Sequence, residues 1–229
     1  MKMMMRMRSR DGSVAEGGGT ITVRVKLVAK MLGNSVIMGA KIRLRDKRMS
    51  DVSNDYAWGM DKELTRLDAA PILNMSFTRY LREYARELRY PFLPTSQRFA
   101  IESLDGKFIG NCSCYNISEA KGEAELGIMI GDREYWSQGY GTDVVTTLVN
   151  YIFHQLKLKR IYLKTLCSNL RAQKCFEVCG FIPYKRLVRG KYRYLFMELD
   201  RERWQDRLKE NGLKPAVDEA DPVVDGDPA

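Results

Sequence analysis

Hydrophobic and polar positions alternate through residues 123–130, with Ala124, Leu126, Ile128 and Ile130 on one side and Glu123, Glu125, Gly127 and Met129 on the other. A period of two predicts a strand with one buried face. The same alternation predicts strands over residues 20–28, 41–45 (taken as the first strand of the domain proper), 99–103, 108–115, 160–166, 184–188 and 192–199, with turns at Asp105-Gly106, Lys121-Gly122 and Gly190. Helical spacing takes over elsewhere. Residues 51–60 form a short helix carrying Tyr56 and Trp58. Ser76 caps a second, whose stripe is Phe77, Tyr80, Leu81, Tyr84, Ala85 and Leu88, and Pro91 and Pro94 end it. From Thr142, Val145, Leu148, Val149, Ile152 and Leu156 mark a third. A fourth begins at Asn169 and closes at Gly180 with Phe181 packing beyond it, and residues 201–210 read as a charged terminal helix. This order of elements predicts a mixed α/β (α+β) layer fold.

Composition narrows the class. The 229 residues are 45% hydrophobic and 29% charged, and no apolar run is long enough to cross a bilayer. The first eight residues have positive charge but no uninterrupted apolar stretch before a small-residue cleavage site, which argues against a secretory signal. Five cysteines without C-x-x-C spacing, and His154 as the only histidine, argue against a disulfide framework, a zinc site and a Ser-His-Asp triad. Reduced thiols in a cytoplasmic protein are the expectation. The net charge of +9 is uneven: residues 1–50 hold 12 Lys and Arg against 3 Asp and Glu, while residues 211–229 hold 1 against 5. Three regions are therefore expected: a basic, disordered or partly extended leader over 1–37 that the fold does not need, a folded domain over 38–200, and a charged helix with an acidic tail over 201–229.

Candidate chemistry concentrates after the 123–130 strand. The chain runs Trp136-Ser137-Gln138-Gly139-Tyr140-Gly141-Thr142 into a helix. A glycine turn at a helix N-terminus offers unpaired amides and the positive end of the macrodipole to a phosphate. Neither nucleotide motif fits: no Gly-x-x-x-x-Gly-Lys is present, and Gly139-x-Gly141 is followed by Val144 where a dinucleotide fingerprint has its third glycine. Residues 136–142 instead resemble the acetyl-CoA pyrophosphate loop of the GNAT acetyltransferases, Gln/Arg-x-x-Gly-x-Gly/Ala. About 27 residues on, Asn169 to Phe181 resembles that family's Asn-x-x-Ala-x-x-x-Tyr/Phe-x-x-x-Gly-Phe motif. Ile42-Arg43-Leu44-Arg45 with Asp51 and Trp58 is similar to the opening of the ribosomal-protein N-acetyltransferase (RimJ/RimL-type) branch. The resemblance covers roughly residues 40–200.

The resemblance implies a GNAT fold, with a central, mostly antiparallel, splayed sheet flanked by helices. It also implies acetyl-CoA as co-substrate, no metal, and a primary amine as acceptor: a protein N-terminus, an amino acid, a polyamine or an antibiotic. Backbone groups of Ile128, Met129 and Ile130 would pair with pantetheine, and amides of Gly139, Tyr140, Gly141 and Thr142 would hold the pyrophosphate, with Trp136, Ser137 and Gln138 shaping the loop. Asn169 would orient the pantetheine arm while capping its helix, and Phe176 would pack near the thioester. A homodimer is compatible with this family, and neither a membrane nor nucleic acid is expected as partner.

An amine arriving as ammonium needs a proton acceptor, and Glu125, nearer the expected thioester than Glu123, is the candidate base; a solvated strand face is the competing reading. Two positions depart from the family pattern. Trp136 stands where Gln or Arg is usual, and Phe176 replaces a frequent tyrosine acid, so no general acid is assigned. Cys175 is rotated about 100° away on the helix and His154 reads as a surface residue. Two other classes compete: a CoA-binding module without catalysis, and a ribosome- or RNA-associated protein acting through its basic arm.

Overall fold

Alternating strands supply one continuous apolar sheet face, and three helices cover it. The computed structural model describes residues 36–89 and 95–210. The strands are β1 (Ile37–Met38), β2 (Ile42–Arg45), β3 (Ser96–Ser103), β4 (Phe108–Ser118), β5 (Glu123–Ile130), β6 (Arg160–Leu166), β7 (Ile182–Arg189) and β8 (Tyr192–Asp200). The helices are α1 (Val52–Met60), α2 (Lys62–Leu67), α3 (Phe77–Arg89), α4 (Tyr140–Gln155), α5 (Leu170–Val178) and α6 (Arg201–Glu210), with 3-10 turns at Met49–Asp51 and Arg133–Tyr135. All eight strands join one sheet in the order β1-β2-β3-β4-β5-β6-β8-β7. Every pairing is antiparallel except β5 with β6, which α4 links as a crossover.

The core lies between the sheet and α4, α5 and α6. Val144, Val145, Leu148, Val149, Ile152 and Phe153 of α4 are buried against Ile42, Leu44, Phe99, Ile101, Leu126, Ile161, Leu163 and Met197. Gly180, at φ +95°, lets α5 end in a Schellman turn, with Gly180 donating to the Glu177 carbonyl and Phe181 to that of Phe176. On the opposite face, α1 and α3 form a smaller cluster around Val52, Tyr80 and Tyr84. The Ser76 hydroxyl accepts from the Arg79 amide at the start of α3.

Four readings change. The strand expected over 41–45 begins at Ile42 and is preceded by β1, whose Ile37 pairs with Leu44 across the expected boundary at 37/38. The helix α2 was not anticipated; Asp61 caps it by accepting from the amides of Glu63 and Leu64. The terminal helix is not merely charged, because Trp204 and Leu208 are buried in the core and the Trp204 indole donates to Asn150. His154 is half-covered, its ring edge-on to Trp204 at 4.8 Å. The strand over 20–28, the part of the basic arm before residue 36, the prolines at 91 and 94 and the acidic tail lie outside the described residues; the arm's remaining cations, Lys41, Arg43, Arg45, Lys47 and Arg48, lie in and around β2. Among the described residues no helix is long and apolar enough to cross a membrane.

Candidate functional site

The parallel pair β5 and β6 stays together for only three rungs: Glu123 with Arg160, Ala124 with Ile161, and Glu125 with Tyr162. Beyond that the strands part, although each remains paired on its outer side. β5 follows β4 as far as Ile130 opposite Gly110, and β6 follows β8 as far as Leu166 opposite Tyr194. The result is a wedge bordered by residues 126–130 and 163–166, where one more extended chain could take up backbone hydrogen bonds.

At the mouth of the wedge stand the N-termini of α4 and α5. Gly139 is the N-cap of α4 at φ +85°, and Ser137 is also left-handed at φ +58°. The first intrahelical bond runs from the Asp143 amide to the Gly139 carbonyl, so the amides of Tyr140, Gly141 and Thr142 precede the helical ladder. Lys41 joins them from far away in sequence. Its Nζ donates to the Gln138 carbonyl at 2.9 Å and lies 5.4 Å over the Tyr140 ring. Asp143 fixes that approach by accepting from the amides of Ala40, Lys41 and Ile42. Amides, a helix dipole and an ammonium thus gather at one turn.

The remaining predicted residues fall as follows. Asn169 caps α5 through the Ala172 amide at 3.2 Å. Trp136 donates its indole N–H to the Ile130 carbonyl at 2.7 Å, so that strand carbonyl already has a donor. The Arg171 guanidinium lies 3.6 Å over the Trp136 ring, and burial pulls its pKa down. Arg133 stacks more loosely on the same ring at 5.4 Å and pairs with Asp61 and Glu63 of the α1–α2 lobe. Phe176 is buried beside Phe181, their ring centroids 6.0 Å apart, and belongs to the core. Cys175 faces α4, its sulfur 3.7 Å from the Thr142 hydroxyl, and its hydrogen bond with Cys179 draws its pKa down while Cys179 rises. Trp58 and Tyr56 serve the packing of the lobe: the indole occupies the space a Cβ on Gly131 would need, and the Tyr56 hydroxyl donates to the Met75 carbonyl.

Glu125 sits where the wedge closes and is only 2% exposed, so the solvated-face reading does not describe it. Its carboxylate accepts from the Tyr115 hydroxyl at 2.7 Å, the Asn116 amide at 2.8 Å and the Lys164 ammonium at 2.7 Å. Gly127 makes this possible, because a Cβ there would stand 2.9 Å from the Tyr115 ring. Burial, with Glu125 beside it, pushes the Tyr115 pKa well above the usual phenol range. Glu123 is engaged differently, by Arg160, which also binds Glu198. Cys112 and Cys114 are buried, and burial pushes both thiols up, Cys114 to about 12, so neither is an available thiolate. Lys41, Tyr115, Lys164, Arg133 and Arg171 were not singled out from the sequence. In the sequence Lys164 was a polar residue on an alternating strand, and its partner depended on the register of β5 and β6. A surface cavity of about 810 Å³ lies behind α4 near Thr147, His154 and Trp204, and none of the predicted site residues lines it. Among the described residues no three His, Cys, Asp or Glu side chains are grouped to hold a metal.

Comparison with known proteins gives a family match and structures of similar fold. The acetyltransferase (GNAT) domain family matches residues 41–182. N-acetyltransferase p20 of Bacillus licheniformis is 25% identical over 142 residues, 62% of this chain and 79% of that protein. A Bacillus subtilis (strain 168) protein bearing the name ribosomal N-acetyltransferase YdaF is 27% identical over 88 residues, 38% of this chain and 48% of its own length. Among solved structures, spermidine N-acetyltransferase from Vibrio cholerae, crystallised with CoA and spermine, superposes with a TM-score of 0.64 at 20% identity, over 72% of this chain and 98% of that one.

Proposed function

The chain belongs to the acetyltransferase (GNAT) family, an N-acetyltransferase with acetyl-CoA as its co-substrate, and we propose that it moves the acetyl group directly from the thioester to a primary amine at the closed end of the β5–β6 wedge. The early parting of these two strands, with a glycine-capped helix at the open end, is the observation that carries the reading. Pantetheine would enter as a substitute strand along Ile128, Met129 and Ile130, with the Met129 region polarising the thioester carbonyl. Gly139, Tyr140, Gly141 and Thr142 would hold the pyrophosphate through their amides, with Lys41 supplying a positive charge beside them. Trp136 would border the cofactor rather than grip it, and Asn169 would orient the arm.

The acceptor would approach from the sheet face that carries Tyr115, Glu125, Tyr162 and Lys164. Glu125 is the proposed proton acceptor, reached directly or through the Tyr115 hydroxyl. On the same reading the chain falls in the RimJ/RimL-type branch, its acceptor is a protein N-terminus or a small amine, and its setting is cytoplasmic; Arg45 and Asp51, two of the residues that carry that resemblance, form a buried pair. The test is release of free CoA thiol from acetyl-CoA over a panel of N-terminal peptides, polyamines, amino acids and amine antibiotics. At least one amine should raise release well above the amine-free rate; a silent panel refutes the reading. With an active amine in hand, Glu125→Gln should lower kcat by about 10²-fold, and full turnover across pH would remove Glu125 as the base.

A further inference from the structure

Direct acetyl transfer ends with a thiolate that must be protonated, and Phe176 cannot supply the proton. Lys164 occupies a position that can. It lies two residues beyond Tyr162, the last β6 residue to pair with β5, on the strand face it shares with Arg160 and Tyr162. From there its side chain reaches back across the opening to Glu125 at 2.7 Å. The ammonium therefore spans the two strands where they separate, which is where a chain entering from the mouth must end. It is also partly open to solvent, with 29% of its side chain accessible against 3% for Glu125.

We propose that Lys164 is the proton donor to the leaving thiolate, an assignment that rests on the functional reading above. The acceptor's ammonium first gives a proton to Glu125. The neutral amine forms the new C–N bond, and the C–S bond breaks with its electron pair on sulfur. Lys164 passes a proton to that sulfur, giving the free thiol, and recovers one from the nitrogen of the new amide. Glu125 returns its proton to water, so the turnover releases one proton overall. The two side chains act in sequence because they are paired.

Other titratable groups near Lys164 have fixed roles. Tyr115 donates to Glu125 and also feels Asp68. Tyr162 precedes it on β6, with burial and Glu125 raising its pKa. On β8 its direct partner is Phe196, and the neighbouring Glu198 is bound by Arg160, which lies under Tyr184. None of these supplies a second cation between β5 and β6 at this point.

The test compares Lys164→Arg with Lys164→Gln in steady-state kinetics, using acetyl-CoA and an amine for which the wild type releases thiol. Arginine keeps the charge and the pairing with Glu125 but does not give up its proton in proteins. Both variants should lose about 10²-fold in kcat with the KM for acetyl-CoA within about threefold. The alkaline fall in wild-type kcat should be absent from Lys164→Arg. Rescue of kcat by arginine, or an unchanged alkaline limb, overturns the assignment by showing that Lys164 only positions Glu125. Should the glutamine variant fail to fold, the arginine variant decides alone. A wild type that releases no thiol with any amine refutes the functional reading, and the donor assignment falls with it.

Discussion

Arg45→Met should be among the most damaging single changes outside the wedge, and its cost should depend on pH. Arg45, Asp51 and Glu102 are 4%, 1% and 4% exposed. The guanidinium grips both Asp51 oxygens, at 2.8 and 2.9 Å, while its Nε donates to Glu102, which Arg43 also binds. Methionine replaces the stem but leaves Asp51 with the Arg48 amide, at 2.8 Å, as a donor, and Glu102 with Arg43. Removing one partner from a buried charge network costs about 3–5 kcal/mol, a large part of a total of about 5–15 kcal/mol. Burial alone would raise the Glu102 pKa, but the hydrogen bonds from Arg45 and Arg43 outweigh it and bring it below 4.5. A depressed carboxylate stabilises the fold fully above its unfolded pKa and stops doing so as pH falls through the folded value. The wild type should therefore lose part of this contribution below about pH 4.5, where the variant has less to lose. Urea denaturation at about pH 7 and about pH 4 should show the penalty shrinking in acid. A penalty under about 1 kcal/mol at neutral pH, or one that does not change with pH, would refute the reasoning.

Gly139→Ala places a side chain at φ +85° and 3.7 Å from Lys41 Nζ; it should weaken CoA binding about tenfold by calorimetry, and unchanged affinity would argue against a phosphate cradle at this turn. Gly131→Ala drives a Cβ to 2.2 Å from the Trp58 indole and should cost about 1–3 kcal/mol in urea denaturation, with a neutral result showing that α1 can shift away from the sheet. A chain beginning at Val36, which keeps β1 intact, should retain the thermal transition of the full sequence; loss of cooperative unfolding would show that the basic leader belongs to the fold.

What could be read in the sequence follows from the range of the interactions concerned. The bounds of β5 and β6 were legible because alternation is local, and the start of α5 because Asn169 caps it from three residues away. β1 escaped notice because two residues cannot display a period. The α2 helix escaped because Lys62–Leu67 is barely long enough for a stripe, although Asp61 with Glu63 in the first turn is a readable start signal. The wedge is a different matter. Neither β5 nor β6 carries a mark at Glu125 or Tyr162 that says pairing stops there; the separation exists because β4 and β8 hold the two strands to their full length on their outer sides. The groups gathered at its closed end share that origin. Tyr115, Glu125 and Lys164 belong to three strands, and they meet only once Tyr115 is in register with Glu125, Tyr162 is in register with the same residue, and Gly127 leaves room for the Tyr115 ring. A motif can mark the turn that faces a phosphate because that turn is built from consecutive residues. The proton chemistry depends on strand register, and so Glu125 alone was legible as a candidate, without the lysine that makes it half of a pair.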